Sequence, residues 1–175
     1  MEQERRSEKE KSLAGIHATR MNAEALMQIF GKNEANDLLP LNMKHVKSNL
    51  NRNKVVICGS LRYTSKSTSD GTAANLAHFL KADFINMTNV TGLFTSDPRT
   101  HKDAKLIQKI SWPDFEKKAK KLKYKPGQHF VLDQKAASII RKYSIPTYII
   151  GPNTKNISNI LNKKPFIGTL VNTNK

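Results

Sequence analysis

A single cysteine, Cys58, leaves no internal disulfide to form, and it follows the apolar run Val55-Val56-Ile57, where a free thiol acts as a small hydrophobe. No apolar stretch approaches the ~20 residues that a membrane helix needs. The first twelve residues, MEQERRSEKEKS, carry both signs of charge with no apolar segment behind them, so no secretory signal is read and a cytoplasmic location is expected. Carboxylates are scarce: 14 Asp and Glu stand against 30 Lys and Arg, a formal net charge of +16, and none follows Asp133. A field of that sign attracts polyanions such as nucleotides, RNA and ribosomes, although heavy use of Lys and Asn across a whole proteome gives the same composition. G-x-x-x-x-G-K-[ST], G-x-G-x-x-G and G-x-S-x-G are all lacking, and the five histidines and one cysteine have no zinc-like spacing, so no protein-built metal site is expected.

What remains is an ordinary globular composition, 38% hydrophobic and 25% charged, with 175 residues enough for one domain. Residues 1–12 read as a charged lead-in and 13–175 as a single domain. Ala14, Ile16, Met21, Ala25, Leu26 and Ile29 recur at helical spacing up to Gly31, a helix stop. KVVIC (54–58) is short and β-branched and predicts a buried strand, after an Asn- and Lys-rich surface excursion at 44–54. A helix is expected over 69–81, a strand over 83–90, then a basic linker. Ser111-Trp112-Pro113-Asp114 marks a helix start, with Phe115, Ala119 and Leu122 as its apolar stripe and its lysines on a solvated face. Strand-like HFVL, helix QKAASIIRKY, strand PTYIIG, a helix near 156–162 and strand FIGTLV complete the pattern. Alternating strands and helices predict an α/β fold with a mainly parallel sheet covered on both faces.

Ligands in such sheets collect where strands end and helices begin. Ser65-Lys66-Ser67-Thr68-Ser69-Asp70 combines hydroxyls, a lysine and a helix start, which suits a phosphate; simple helix capping uses the same residues. In Thr88-Asn89-Val90-Thr91-Gly92-Leu93-Phe94, followed by Asp97-Pro98, Gly92 lets the backbone approach a ligand closely and Phe94 can lie against a flat base. Turn punctuation and a core aromatic are the bland alternative. Asp133, among Lys135, Arg141 and Lys142, can orient a cation or a phosphoryl group, or can simply cap the next helix.

Four collinear segments resemble those of archaeal-type UMP kinases of the amino acid kinase family: GIHATRMNA (15–23), STSDGTAANLA (67–77), TNVTGLFTSDP (88–98) and HFVLDQKAASII (129–140). IGTLV is similar to the family's closing strand. The resemblance implies a three-layer α/β/α sandwich and phosphoryl transfer from ATP, with Mg²⁺, to UMP. On it, Thr88, Asn89, Gly92, Phe94 and Asp97 bind ATP; Lys66, Ser67, Thr68 and Asp70 bind UMP; and Asp133 is the catalytic residue that organises lysines and Mg²⁺. A homo-oligomer, a hexamer by the family pattern, is implied as well. Family members begin with a strand and a glycine-rich loop carrying a phosphate-binding lysine, and nothing before Gly15 resembles either. The corresponding expectation is an impaired kinase, or one completed by a separate N-terminal polypeptide. The competing expectations are a catalytically inactive nucleotide-binding protein with a basic RNA- or ribosome-contacting surface, and a relative acting on another small acceptor.

Overall fold

Ser7 opens the first helix: its hydroxyl accepts the Glu10 N–H while the Glu10 carboxylate accepts the Ser7 N–H, a reciprocal cap that satisfies two orphan donors. Helix α1 (Glu8–Phe30) therefore starts inside the expected lead-in and ends at Gly31, whose φ of 75° suits a residue without Cβ. The computed structural model describes residues 7–63, 68–121 and 131–173. Two compact units divide the chain after Thr72. Among the described residues no helix is long and apolar enough to cross a membrane.

In the first unit the expected surface excursion contains a helix, α2 (Met43–Leu50), capped by the Asn42 side chain on the His45 N–H at 2.9 Å and anchored by buried Val46. The predicted buried strand at 54–58 does not form. Val55 makes one isolated bridge to Ala35 and is 38% exposed. A β-branched run supplies strand propensity but not a neighbour, and here a side chain takes the neighbour's place. Buried Asn36 accepts the Ile57 N–H at 2.6 Å and donates to the Ile57 carbonyl at 2.9 Å, so the backbone groups are paired without a ladder. Cys58 is half-buried and free, and burial raises its thiol pKa.

Helix α3 (Ser69–Leu80) leads into the second unit, a four-stranded sheet in the order β1-β3-β4-β2. Its strands are β1 (Phe84–Met87), β2 (Lys109–Ser111), β3 (Thr147–Ile150) and β4 (Thr169–Asn172). β1 with β3 and β2 with β4 are parallel pairs; β3 and β4 run antiparallel, with Ile149 opposite Thr169. The sheet is thus mixed and mostly parallel, and β2 lies at the end of what reads in sequence as a basic linker. Helices α4 (Trp112–Lys121), α5 (Gln134–Tyr143) and α6 (Thr154–Leu161) follow their expected starts. Ser111 Oγ accepts the Asp114 N–H at 3.1 Å, as the Ser-x-x-Asp pattern predicts. Leu122 and the first two residues of HFVL lie outside the described residues, and Val131-Leu132 forms a bend rather than a strand.

The core of this unit joins Phe115 and Ala119 of α4, Ala136, Ala137 and Ile140 of α5, Ile149 and Val171 of the sheet, and Leu93 and Leu132 from loops. One acid is buried beside it. Glu116 sits among the lysines of α4 with its side chain 7% exposed, and it binds Lys120 Nζ at 2.7 Å, the Ser138 hydroxyl at 2.8 Å and the Arg141 guanidinium. The Lys120, Arg141 and Ser138 hydrogen bonds hold its carboxyl well below the carboxylate range, at about 2. A depressed folded-state pKa contributes stability that is full above the unfolded value and is lost as pH falls through the folded one. Stability is therefore expected to drop between about pH 5 and pH 2 by about 2 kcal/mol, a value discounted because both cations are half exposed. Glu116→Gln should lose a similar amount at neutral pH and flatten that slope, as read by thermal melts across the range.

Candidate functional site

β1 and β3 end side by side, Met87 opposite Ile150, and the chain leaving β1 forms a loop over that rim. Thr88 N–H continues the ladder to the Ile150 carbonyl at 2.9 Å, which leaves its hydroxyl for other partners. That hydroxyl lies 3.4 Å from the exposed Asn89 amide oxygen. Gly92 and Leu93 then turn inward, and both are buried. Half-buried Phe94 makes an antiparallel bridge to Leu106. Thr95 N–H donates to the Lys105 carbonyl at 2.9 Å, and Lys118 Nζ of α4 donates to the Thr95 carbonyl at 3.1 Å.

Asp97 closes the loop. Its carboxylate accepts both the Arg99 N–H at 3.0 Å and the Arg99 guanidinium at 2.9 Å, and its carbonyl caps the following turn. Those Arg99 hydrogen bonds depress the Asp97 carboxyl to about 2. Asp97 is ionised throughout the neutral range and already engaged, which suits it to shaping the loop.

Asp133 stands at the start of α5, where its Oδ1 accepts the Ala136 N–H at 2.8 Å. Capping uses one oxygen, and no hydrogen bond to the other is formed among the described residues. The bend before it is tied to the rim by Asn86 of β1, whose amide donates to the Val131 carbonyl at 2.6 Å. Thr88, Asn89, Gly92, Phe94 and Asp97 thus share one loop of the second unit, and Asp133 follows a segment hydrogen-bonded to the strand that launches it. Neither Asn86 nor Thr169 of β4, which receives the Leu93 N–H at 2.8 Å, is nominated by sequence. Their only signal is a polar residue inside an apolar strand.

Thr68 and Asp70 belong to the first unit, in the opening turn of α3. The Thr68 hydroxyl accepts the Gly71 N–H at 3.0 Å and its carbonyl accepts the Thr72 N–H at 2.9 Å, so Thr68 caps the helix. Lys66 and Ser67 lie outside the described residues. In the same unit the Thr19-Arg20 pair of the ATR motif holds the chain after Gly59. Arg20 donates to the Ser60 carbonyl at 3.0 Å and the Leu61 carbonyl at 2.6 Å, and Thr19 accepts the Ser60 N–H at 3.0 Å. An open groove of 710 Å³, lined by Lys32, Leu38, His45 and Arg52 among others, contains none of the nominated residues. Among the described residues no group of three or more His, Cys, Asp or Glu converges as a metal site.

The loop lies at the carboxyl ends of two parallel strands, with an acid at a following helix start, which is where open α/β sheets bind ligands. The chain belongs to the amino acid kinase family, whose model matches residues 4–151. Among its relatives are the uridylate kinase of Methanococcus aeolicus, 33% identical over 90% of this chain and 69% of that protein, and the uridylate kinase of Archaeoglobus fulgidus, 33% identical over 90% and 70%. The solved structure of uridylate kinase from Archaeoglobus fulgidus superposes with a TM-score of 0.83 at 31% identity, covering 95% of this chain and 74% of that one. An aspartate kinase from Synechocystis, 20% identical with a TM-score of 0.66 over 98% of this chain and 31% of its own, shares the fold. The chain spans 60% to 70% of the length of curated relatives such as those of Methanococcus vannielii and Archaeoglobus fulgidus.

Proposed function

We propose that this chain carries the nucleotide-handling part of a UMP kinase-like phosphotransferase, in which ATP and UMP give ADP and UDP. The observation that carries the reading is the loop 88–97 on the β1/β3 rim, with Asp133 presented just beyond the segment that Asn86 fastens to β1. Thr88 and Asn89 offer a hydroxyl and an amide at the exposed end of the loop, and Phe94 an aromatic face for the adenine ring. The free oxygen of Asp133 is the acid placed to act on the phosphoryl group. Lys66, Ser67, Thr68 and Asp70 are the candidates for holding UMP near the start of α3, where the helix dipole favours an anion.

Phosphoryl transfer of this kind is mainly placement and charge stabilisation. A lone carboxylate suits a Mg²⁺ carried in on ATP phosphates with its waters, rather than a protein-built metal cage. Bound there, Mg²⁺ would supply neutralisation of phosphate charge. Asp133 would hold that ion from the capped start of α5. Exposed Met21, Leu26, Ile29 and Phe30 on α1 support assembly into a homo-oligomer.

The test is UMP-dependent ADP formation from ATP and Mg²⁺ by the purified chain, beside Asp133→Asn. Asparagine is as good a helix cap as aspartate, so stability should hold while turnover falls by about 10²- to 10³-fold. ATP binding without turnover retains the nucleotide site and withdraws the transfer step. Absence of both ATP binding and ADP formation overturns the reading.

A further inference from the structure

Leu93 and Ile107 face each other where the nucleotide loop returns toward β2. On one side they pair directly, the Ile107 N–H donating to the Leu93 carbonyl at 2.8 Å. In a regular antiparallel pair the Leu93 N–H would close the ring on the Ile107 carbonyl. Here the Thr169 hydroxyl of β4 is inserted between them: it accepts the Leu93 N–H at 2.8 Å and donates to the Ile107 carbonyl at 2.6 Å. Thr169 is 0% exposed, so water has no route to replace it. The loop backbone also lies directly on this side chain, since a Cβ on Gly92 would stand 2.8 Å from Thr169 Oγ1.

We propose that Thr169 is a positioning residue for adenine nucleotide. Its hydroxyl sets the height and tilt of the loop 88–97 over the β1/β3 rim, and through them the placement of Asn89 and Phe94. The inference rests on the reading of that loop as the ATP site. It assigns a role to the IGTLV segment that strand formation alone does not require, because a strand in this core accepts valine at the same position. Valine matches threonine in shape and lacks both the donor and the acceptor, so it leaves a buried N–H and a buried carbonyl unpaired and the loop displaced. Serine keeps the hydroxyl.

The test compares wild type, Thr169→Val, Thr169→Ser and the remote core variant Ile140→Val for ATP affinity by calorimetry, for melting temperature, and for exchange of the Leu93 amide. T169V should weaken ATP binding by about tenfold or more, because small displacements of placed groups carry large costs. T169S should return it to within about threefold of wild type, since the hydroxyl is restored. I140V should lower the melting temperature with unchanged affinity. Should T169V not fold, Thr169→Ala takes its place with the same expected direction. Wild-type affinity in T169V, or equal weakening in T169S and I140V, overturns the proposal. A wild-type chain that binds no ATP overturns the functional reading instead. The clamp is then decided by the Leu93 amide: loss of protection in T169V supports it, and unchanged protection refutes it.

Discussion

Phe115→Ala is expected to cost about 3–5 kcal/mol, the range for truncating a buried aromatic. Phe115 is 0% exposed and sits in the cluster joining α4, α5 and the sheet, with Ala119, Ala136 and Ala137 around it. Alanines cannot reach into the space that a lost ring leaves, so the cavity stays open and the loss falls at the upper end of that range. The denaturation midpoint should move down with the slope unchanged, because the same surface is exposed on unfolding. A change below about 1 kcal/mol would mean that the site collapses around the alanine, against the close packing described.

Gly168→Ala is the second large effect. A Cβ there would stand 2.5 Å from the Ile149 carbonyl oxygen and 2.8 Å from Ile150 Cγ2, with the Phe166 ring at 3.0 Å. The nearest obstacle is backbone in β3, which cannot rotate away, so β4 must separate from β3 at its first residues. Overpacking of this kind costs about 1–3 kcal/mol and more when backbone must shift. Unlike Phe115→Ala, it should also disturb the loop 88–97, because Thr169 is the next residue. A melting temperature within a degree of wild type would show that β4 does not approach β3 so closely.

Much of this fold is legible in the sequence because its signals are local. The end of α1 is written by Gly31, α4 by Ser111 and Asp114, and α5 by Asp133, each a cap that acts within four residues of itself. Where local pattern and tertiary partner part company, the reading fails. MKHVKSNL looks like surface coil because Val46 is its one buried residue, yet Asn42 is enough to start a helix. KVVIC looks like a strand, but Asn36 supplies its pairing and the ladder stops at one bridge. Lys109-Ile110-Ser111 is too short to show a period, and only β4 beside it makes it a strand.

The site divides along the same line. Thr88, Asn89, Phe94 and Asp97 stand in the loop after β1, and Asp133 at the start of α5, both places that sequence identifies. The roles of Asn86 and Thr169 come from partners 45 and 76 positions away, beyond any window of periodicity. Asp97 shows the reverse: its partner is two residues on, and the Asp-Pro-Arg order already contains the pair that occupies it.

The order of synthesis gives the Thr169 hydroxyl another meaning. Leu93 emerges from the ribosome 76 residues before the side chain that receives its N–H. For most of that interval the loop has its strand, β1, but not β3, and β4 comes after both. A nascent chain therefore cannot present the finished loop 88–97, whatever helices it has already wound. Closure of that loop reports that β4 has docked, so on the proposed reading competence for nucleotide arrives with β4 rather than with the segment that touches the ligand.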